Sequence, residues 1–196
     1  MNVVIIKYNA GNIRSVDFAL QRLNVQAKIT DIPDEINSAD RVIFPGVGEA
    51  SSAMRYLRER KLDTVIADLK QPVLGICLGM QLMCRHSEEN DTTCLGIFDE
   101  QVKKFPPNGI KIPQIGWNNI FELKTKLFQG ISDKEFMYFV HGFYVEKSSH
   151  SIALADYGLE YSAALQTNNF YAVQFHPEKS GAAGQKIIQN FLDIPF

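Results

Sequence analysis

The chain is poor in cysteine: Cys77, Cys84 and Cys94 are the only three, an odd count with neither the density nor the spacing of a disulfide scaffold or a zinc site. Reduced thiols in the cytoplasm are expected. An excess of charge is also missing, because 20 basic residues stand against 22 acidic ones for a formal net charge of -2. No long run of either sign occurs, which argues against a polyanion-binding surface and so against nucleic acid as a partner. No apolar stretch approaches the ~20 residues that a membrane-spanning helix needs. The opening Asn2-Val3-Val4-Ile5-Ile6 is too short for the core of a signal peptide and has no basic leader. A soluble protein away from the membrane is expected. Linkers, repeats and low-complexity segments are absent too. What remains is a chain of 196 residues, 45% of them hydrophobic, enough for one sizeable core, so residues 1–196 read as a single domain.

The first half alternates strand and helix signals. Residues 3–6 read as a buried strand, Ala10-Gly11-Asn12 as a turn with Asn12 as N-cap, and Ile13, Val16, Leu20 and Leu23 as one face of a helix. Strands are expected at residues 25–29 and 41–44. Met54, Leu57, Leu62, Val65, Ile66 and Leu69 fill helical turns before a strand at residues 73–76. Right-handed crossovers follow, giving an α/β fold of the flavodoxin-like, doubly wound kind with a mostly parallel sheet and flanking helices. From Gly96 the strand candidates are shorter, at residues 136–145, 152–155, 162–166 and 171–175, with turn residues between them. They predict a mixed or antiparallel extension in the second half. A last amphipathic helix carries Ile187, Ile188, Phe191 and Leu192, with Ser180 as its N-cap.

The chemistry concentrates in two segments. Val73-Leu74-Gly75-Ile76 runs into Cys77-Leu78-Gly79, a G-x-C-x-G pattern that is the thiol form of a nucleophile elbow, with Gly75 and Gly79 two residues either side of the nucleophile. The helix that begins there aims free N–H groups at the sulfur and favours its thiolate. Far downstream stands Gln174-Phe175-His176-Pro177-Glu178. In an extended chain His176 and Glu178 face the same way, so the carboxylate binds one imidazole nitrogen while the other addresses the thiol. Cys84 and Cys94 lack a glycine-framed turn and read as core. His86 and His150 read as surface, and His141 as either core or site wall.

Other segments admit two readings on residue chemistry alone. Pro45-Gly46-Val47-Gly48 follows the third strand, where ligands gather in parallel sheets, and offers backbone N–H groups to an anion or is a plain turn. Gln81 lies one helical turn beyond Cys77, on its side. Glu88-Glu89 either folds over the cleft or stays solvated, and Trp117, the only tryptophan, is either partly exposed or core.

The motif Gly75-Ile76-Cys77-Leu78-Gly79-Met80-Gln81 with His176-Pro177-Glu178 resembles the class I (triad) glutamine amidotransferases. Within them, Tyr8-Asn9-Ala10-Gly11-Asn12, Pro45-Gly46-Val47-Gly48, Gly116-Trp117-Asn118, Tyr138-Phe139-Val140-His141 and His176-Pro177-Glu178-Lys179-Ser180 are similar to the family of glutaminase subunits of imidazole glycerol phosphate synthase, of histidine biosynthesis. Gln114 and Gly142-Phe143 depart from that pattern. The resemblance implies Cys77, His176 and Glu178 as the triad that hydrolyses L-glutamine through a thioester, with an oxyanion hole from Leu78 and the Val47-Gly48 segment. It implies Gln81 and Glu89 as the grip on the amino-acid end of glutamine, assisted by backbone at Gly48, Gly142 and Phe143. No metal and no organic cofactor are called for. It further implies a heterodimer with a (β/α)8-barrel cyclase that receives the ammonia, with Asn12, Trp117, Tyr138 and Lys179 at the interface. A paralogous glutaminase feeding another synthase, such as one for amidino sugars, would keep the same triad.

Overall fold

The computed structural model describes residues 1–9, 11–107 and 109–195. The expected turn residue Ala10 lies outside them. The first half contains β1 (Val3–Ile6), α1 (Ile13–Arg22), β2 (Ala27–Thr30), α2 (Pro33–Asn37), β3 (Arg41–Phe44), α3 (Ala50–Glu59), α4 (Leu62–Ala67), β4 (Val73–Ile76) and α5 (Leu78–Met83). The second contains β5 (Cys84–Ser87), β6 (Thr92–Thr93), β7 (Phe98–Lys104), β8 (Gln114–Asn119), β9 (Phe136–His141), β10 (Phe143–Val145), β11 (Ser151–Asp156), β12 (Glu160–Thr167), β13 (Phe170–Val173) and α6 (Gly181–Leu192).

One seven-stranded sheet has the order β11-β12-β13-β4-β3-β1-β2. Its neighbours from β2 to β13 run parallel, and β12 and β11 extend it antiparallel. The result is a doubly wound α/β fold with helices on both faces. Alternation along each strand divides the core accordingly. Val3, Ile5, Ile43, Leu74 and Ile76 pack with Val16 and Leu20 of α1 and Ile187, Ile188 and Phe191 of α6. Val4, Ile6, Val42, Phe44 and Val73 pack with Ile36, Met54, Leu57, Leu62 and Ile66 from α2, α3 and α4. A second sheet joins β10, β7, β5 and β6, and β8 pairs with β9 alone.

The register of β13 on β4 positions the site. Val173 lies beside Ile76 in a parallel pair, so the residues that leave the carboxyl ends of the two strands, Cys77 and Gln174-Phe175-His176, emerge together. Two segments far apart in sequence meet because one strand pairs with another.

Several local expectations are corrected. The second strand starts at Ala27, not Val25, because Val25 closes the end of α1: its N–H reaches Leu20 O at 3.0 Å, and the N–H of Asn24, left-handed at φ 59°, reaches Gln21 O at 2.9 Å. The helical stretch from Met54 to Leu69 is broken at Lys61, also left-handed, into α3 and α4. The expected strand over residues 136–145 divides at Gly142, because β9 pairs with β8 while β10 pairs with β7. Asn12 and Ser180 stand at the N-cap positions of α1 and α6 without a side-chain capping bond; their side chains are used elsewhere.

Candidate active site

Cys77 sits on the turn from β4 into α5 at φ 53°, ψ -107°, a conformation that costs a non-glycine residue energy and persists only where the surroundings impose it. Its N–H is tied to Val173 O at 2.8 Å. The flanking glycines allow the helix to close on the sheet. A Cβ on Gly79 would lie 1.9 Å from Phe44 O, and one on Gly75 would lie 2.9 Å from Met83 Sδ and 3.1 Å from the Gly79 carbonyl carbon. The thiol is buried, with Sγ 3.6 Å from Val140 O.

His176 and Glu178 are both buried, and His176 Nδ1 bonds Glu178 Oε1 at 2.8 Å. The extended-chain reading of this pair is corrected: Pro177–Lys179 is a 3-10 turn, and the carboxylate returns to the ring through it. A carboxylate oxygen only accepts, so Nδ1 keeps its proton in either charge state and Nε2 is the nitrogen that takes or gives the second one. Nε2 is buried without a hydrogen-bond partner among the described residues. Burial opposes a charge on the ring, but the Cys77 and Glu178 side chains outweigh it and raise the His176 pKa to about 10. The site thus favours an imidazolium beside the sulfur.

Two residues expected to cap helices fix this pair. Asn12 Nδ2 donates to Glu178 Oε1 at 2.5 Å and lies 3.3 Å from His176 Nδ1. Ser180 Oγ donates to His176 O at 2.7 Å and accepts the Tyr138 N–H at 3.0 Å, while the His176 N–H reaches Tyr138 O at 2.8 Å. The turn is stitched to β9.

A cavity of about 240 Å³ opens over Cys77, lined by Val47, Gly48, Leu78, Gln81, Glu89, Pro113, Val140, His141, Gly142 and Phe143. That is below the ~300–1,000 Å³ of drug-sized pockets and suits a single amino acid. A larger open groove of about 650 Å³ along Asp17, Gln21 and Asn24 holds no nucleophile, so size alone does not select the site. Inside the cavity Gln81 Nε2 reaches Phe143 O at 3.2 Å and Gln174 Oε1 at 3.0 Å. Glu89 Oε2 accepts the Ala50 N–H at 2.7 Å, and burial raises its pKa. His141 donates Nδ1–H to Phe143 O at 2.7 Å, and burial lowers its pKa to about 4, so the ring is neutral.

The Pro45-to-Gly48 loop faces the thiol in a specific orientation. Gly46 O accepts the Leu78 N–H at 3.2 Å, and because the peptide is trans and planar, the Val47 N–H points the opposite way. Val47 O accepts the Gly11 N–H at 3.2 Å. Tyr8 OH, bonded to Pro45 O at 2.6 Å, presses so close that a Cβ on Gly46 would lie 2.0 Å from it. Gly48 has φ 134°, which favours glycine.

The family model for class-I glutamine amidotransferases matches residues 4–194. The chain belongs to this family. Imidazole glycerol phosphate synthase subunit HisH of Bacteroides fragilis (strain YCH46) is 58% identical over 196 residues, covering 99% of this chain and 100% of the relative. The protein of the same name from Escherichia coli (strain K12) is 46% identical over the same shares. Among solved structures, a glutamine amidotransferase superposes with a TM-score of 0.77 at 19% identity, covering 98% of each chain. PurLQS from Thermotoga maritima gives 0.74 at 15% identity, covering 98% of this chain and 97% of that one. These two show the family's fold.

Within this family member, the cavity brings together Val47, Gly48, Cys77, Leu78, Gln81, Glu89, Gly142 and Phe143. Trp117, 57% exposed, meets the Tyr138 ring edge-on at 5.9 Å, and Lys179 Nζ lies 5.9 Å from the centre of that ring. Asn12 directs its amide onto Glu178 and lines a surface pocket together with Lys179. Sequence reasoning assigned no role to Tyr8, Pro113, Val140 or Gln174. For Gln174 a signal existed: it lies two residues before His176, directly after the apolar run Phe170-Tyr171-Ala172-Val173, which ends the strand two residues short of the expected Phe175. Among the described residues no group of His, Cys, Asp and Glu is arranged to hold a metal ion, and no helix is long and apolar enough to cross a membrane.

Proposed function

We propose that this chain is the glutaminase subunit of imidazole glycerol phosphate synthase, hydrolysing L-glutamine and passing ammonia to a cyclase subunit for histidine biosynthesis. The observation that carries the glutaminase reading is the parallel register that brings out Cys77, which lines a cavity of amino-acid size, together with the segment carrying His176 and Glu178. The full-length identity to subunits of that synthase carries the pathway and favours it over a paralogous partner. A cytoplasmic location goes with this reading.

In the proposed chemistry Cys77 reacts as thiolate, its proton held on His176 Nε2, and attacks the side-chain amide carbon of glutamine. His176 then gives that proton to the departing nitrogen, ammonia leaves, and a glutamyl thioester remains. The ring next takes a proton from water, hydroxide attacks the thioester, and glutamate leaves as the thiolate returns. Glu178, steadied by Asn12, holds the ring in the tautomer that points Nε2 at the sulfur. Leu78 N–H and Val47 N–H would hold the oxyanion once the Gly46–Val47 peptide turns over. Gln81, through its free carbonyl oxygen, and Glu89 would accept the α-ammonium at the amino-acid end of glutamine, with backbone at Gly48, Gly142 and Phe143 assisting.

Ammonia released into water is protonated and lost as a nucleophile, so the product must enter the cyclase directly. We assign the partner a (β/α)8-barrel fold and place Trp117, Tyr138, Lys179 and Asn12 toward it. Co-purification with the histidine-pathway cyclase, followed by glutamine-dependent synthesis in the purified pair, tests this reading. A stable complex that transfers ammonia is expected; failure to associate, with activity toward another synthase, would overturn it.

A further inference from the structure

We propose that Gln174 is a positioning residue for Cys77, its side-chain amide donating to the sulfur while Gln81 holds its carbonyl. Gln174 is fully buried. Its Nε2 lies 3.7 Å from Cys77 Sγ, and its Oε1 accepts Gln81 Nε2 at 3.0 Å. Buried amide donors are costly to leave unpaired, and the Cys77 sulfur is the acceptor available to this one among the described residues. The cysteine and the glutamine both follow directly from the paired ends of β4 and β13, Ile76 and Val173, so the contact is built into the sheet.

The arrangement distinguishes the two protonation states of the sulfur. As a thiol, Cys77 can point its proton at Val140 O, 3.6 Å away. As a thiolate it is repelled by that carbonyl and needs donors. An N–H facing the sulfur favours the anion. Gln174 supplies one in a fixed direction, because Gln81 Nε2 clamps its carbonyl and is itself tied to Phe143 O at 3.2 Å. Gln81 lines the cavity, so the residue assigned to grip substrate and the residue that orients the nucleophile share a hydrogen bond.

The titratable groups around the sulfur are His176, with Glu178 behind it, and Tyr8 from the loop after β1. His141 and Glu89 line the same cavity. All of them are retained when Gln174 is changed, so a shift in thiol titration reports the amide.

The proposal rests on reading Cys77 as the nucleophile, and the test separates the two. The rate of Cys77 alkylation by iodoacetamide, read by peptide mass against pH in the full chain, gives the ionisation midpoint, with buried Cys84 and Cys94 as internal controls. In Gln174→Met the midpoint should rise by about one pH unit and the rate near neutrality fall about tenfold, converging with wild type at high pH. Gln174→Glu should raise the midpoint further. A Gln174→Met protein with wild-type melting behaviour and an unchanged midpoint overturns the proposal. A second measurement needs no variant to fold: in the wild-type chain the Gln174 side-chain amide proton resonances should move with Cys77 ionisation, and resonances that stay constant through it overturn the proposal equally. Loss of glutamine hydrolysis in Cys77→Ala upholds the nucleophile whatever Gln174 does; retained hydrolysis there overturns the nucleophile and leaves the alkylation data to report the Gln174 contact alone.

Discussion

The carbonyl of Gly46 accepts the N–H of Leu78 at 3.2 Å, so one of the two donors assigned to the oxyanion is already engaged, and its companion on Val47 faces the other way. This is a resting arrangement. A lost oxyanion donor costs ~10²–10³ in rate. The isolated chain should therefore hydrolyse glutamine slowly, and the cyclase with its substrate bound should raise the rate by about 10² or more. Steady-state glutamate release with and without the liganded partner measures it, and equal rates would refute gating by this peptide.

Asn12 and Glu178 provide the next expectation. Asn12→Ala removes a donor from a buried carboxylate and should lower turnover about tenfold or more, the size of one charge-assisted hydrogen bond. Glu178→Gln misplaces the ring without deleting it, so it should cost less than His176→Ala. Turnover of the three variants in the complex at saturating glutamine gives the order. Wild-type turnover in both His176→Ala and Glu178→Gln would make the His-Pro-Glu turn structural.

His141 makes a pH signature. Its folded pKa of about 4 lies below the ordinary value of 6.5 because burial disfavours the charge. The unfolded chain therefore binds the proton first, and stability fully present above about pH 6.5 is lost as pH falls toward and through about 4. The loss amounts to roughly 3 kcal/mol. Denaturant unfolding of wild type and His141→Gln at several pH values should show the wild-type slope flattened in the variant. Parallel curves would contradict a buried neutral imidazole.

The exposed apolar residues on β8 and β9 make a separate test. Ile115, Trp117 and Phe136 are each more than half exposed, and Trp117 lies opposite Tyr138 in the β8–β9 register. Large exposed aromatics of this kind are where binding energy concentrates in interfaces. Trp117→Ala should weaken cyclase binding by about 2 kcal/mol or more and leave the melting temperature of the free chain nearly unchanged. Calorimetric titration of the cyclase reads the first and a thermal melt the second.

The sequence reveals this architecture where local pattern and tertiary structure agree. The run Val73-Leu74-Gly75-Ile76 is both an apolar strand and the bed of the elbow, and the alternation of strands and helices is visible because β1, β3 and β4 are buried on both faces. It misleads where a polar side chain has two possible partners. Asn12 and Ser180 have the chemistry of helix caps, but a buried carboxylate and a turn carbonyl claim them. Val25 has the propensity of a strand residue and is spent closing a helix. The return of Glu178 to His176 is legible as a pairing, while the 3-10 turn that makes it is not. Least legible is the orientation of the Gly46 carbonyl, since its partner is the Leu78 N–H of a distant segment and it leaves no mark in the motif itself.

The central claim is that Cys77 generates ammonia which a partner consumes, and Cys77→Ala in the reconstituted complex tests it most directly. Glutamine hydrolysis and glutamine-dependent synthesis should both fall to background, because among the described residues Cys77 is the only thiol or hydroxyl that lines the cavity. Synthesis should persist when ammonium salt is supplied at high pH, where free ammonia is abundant, because the cyclisation belongs to the partner. Glutamine hydrolysis above background in the mutant complex, or failure of ammonium salt to restore synthesis, would contradict the account.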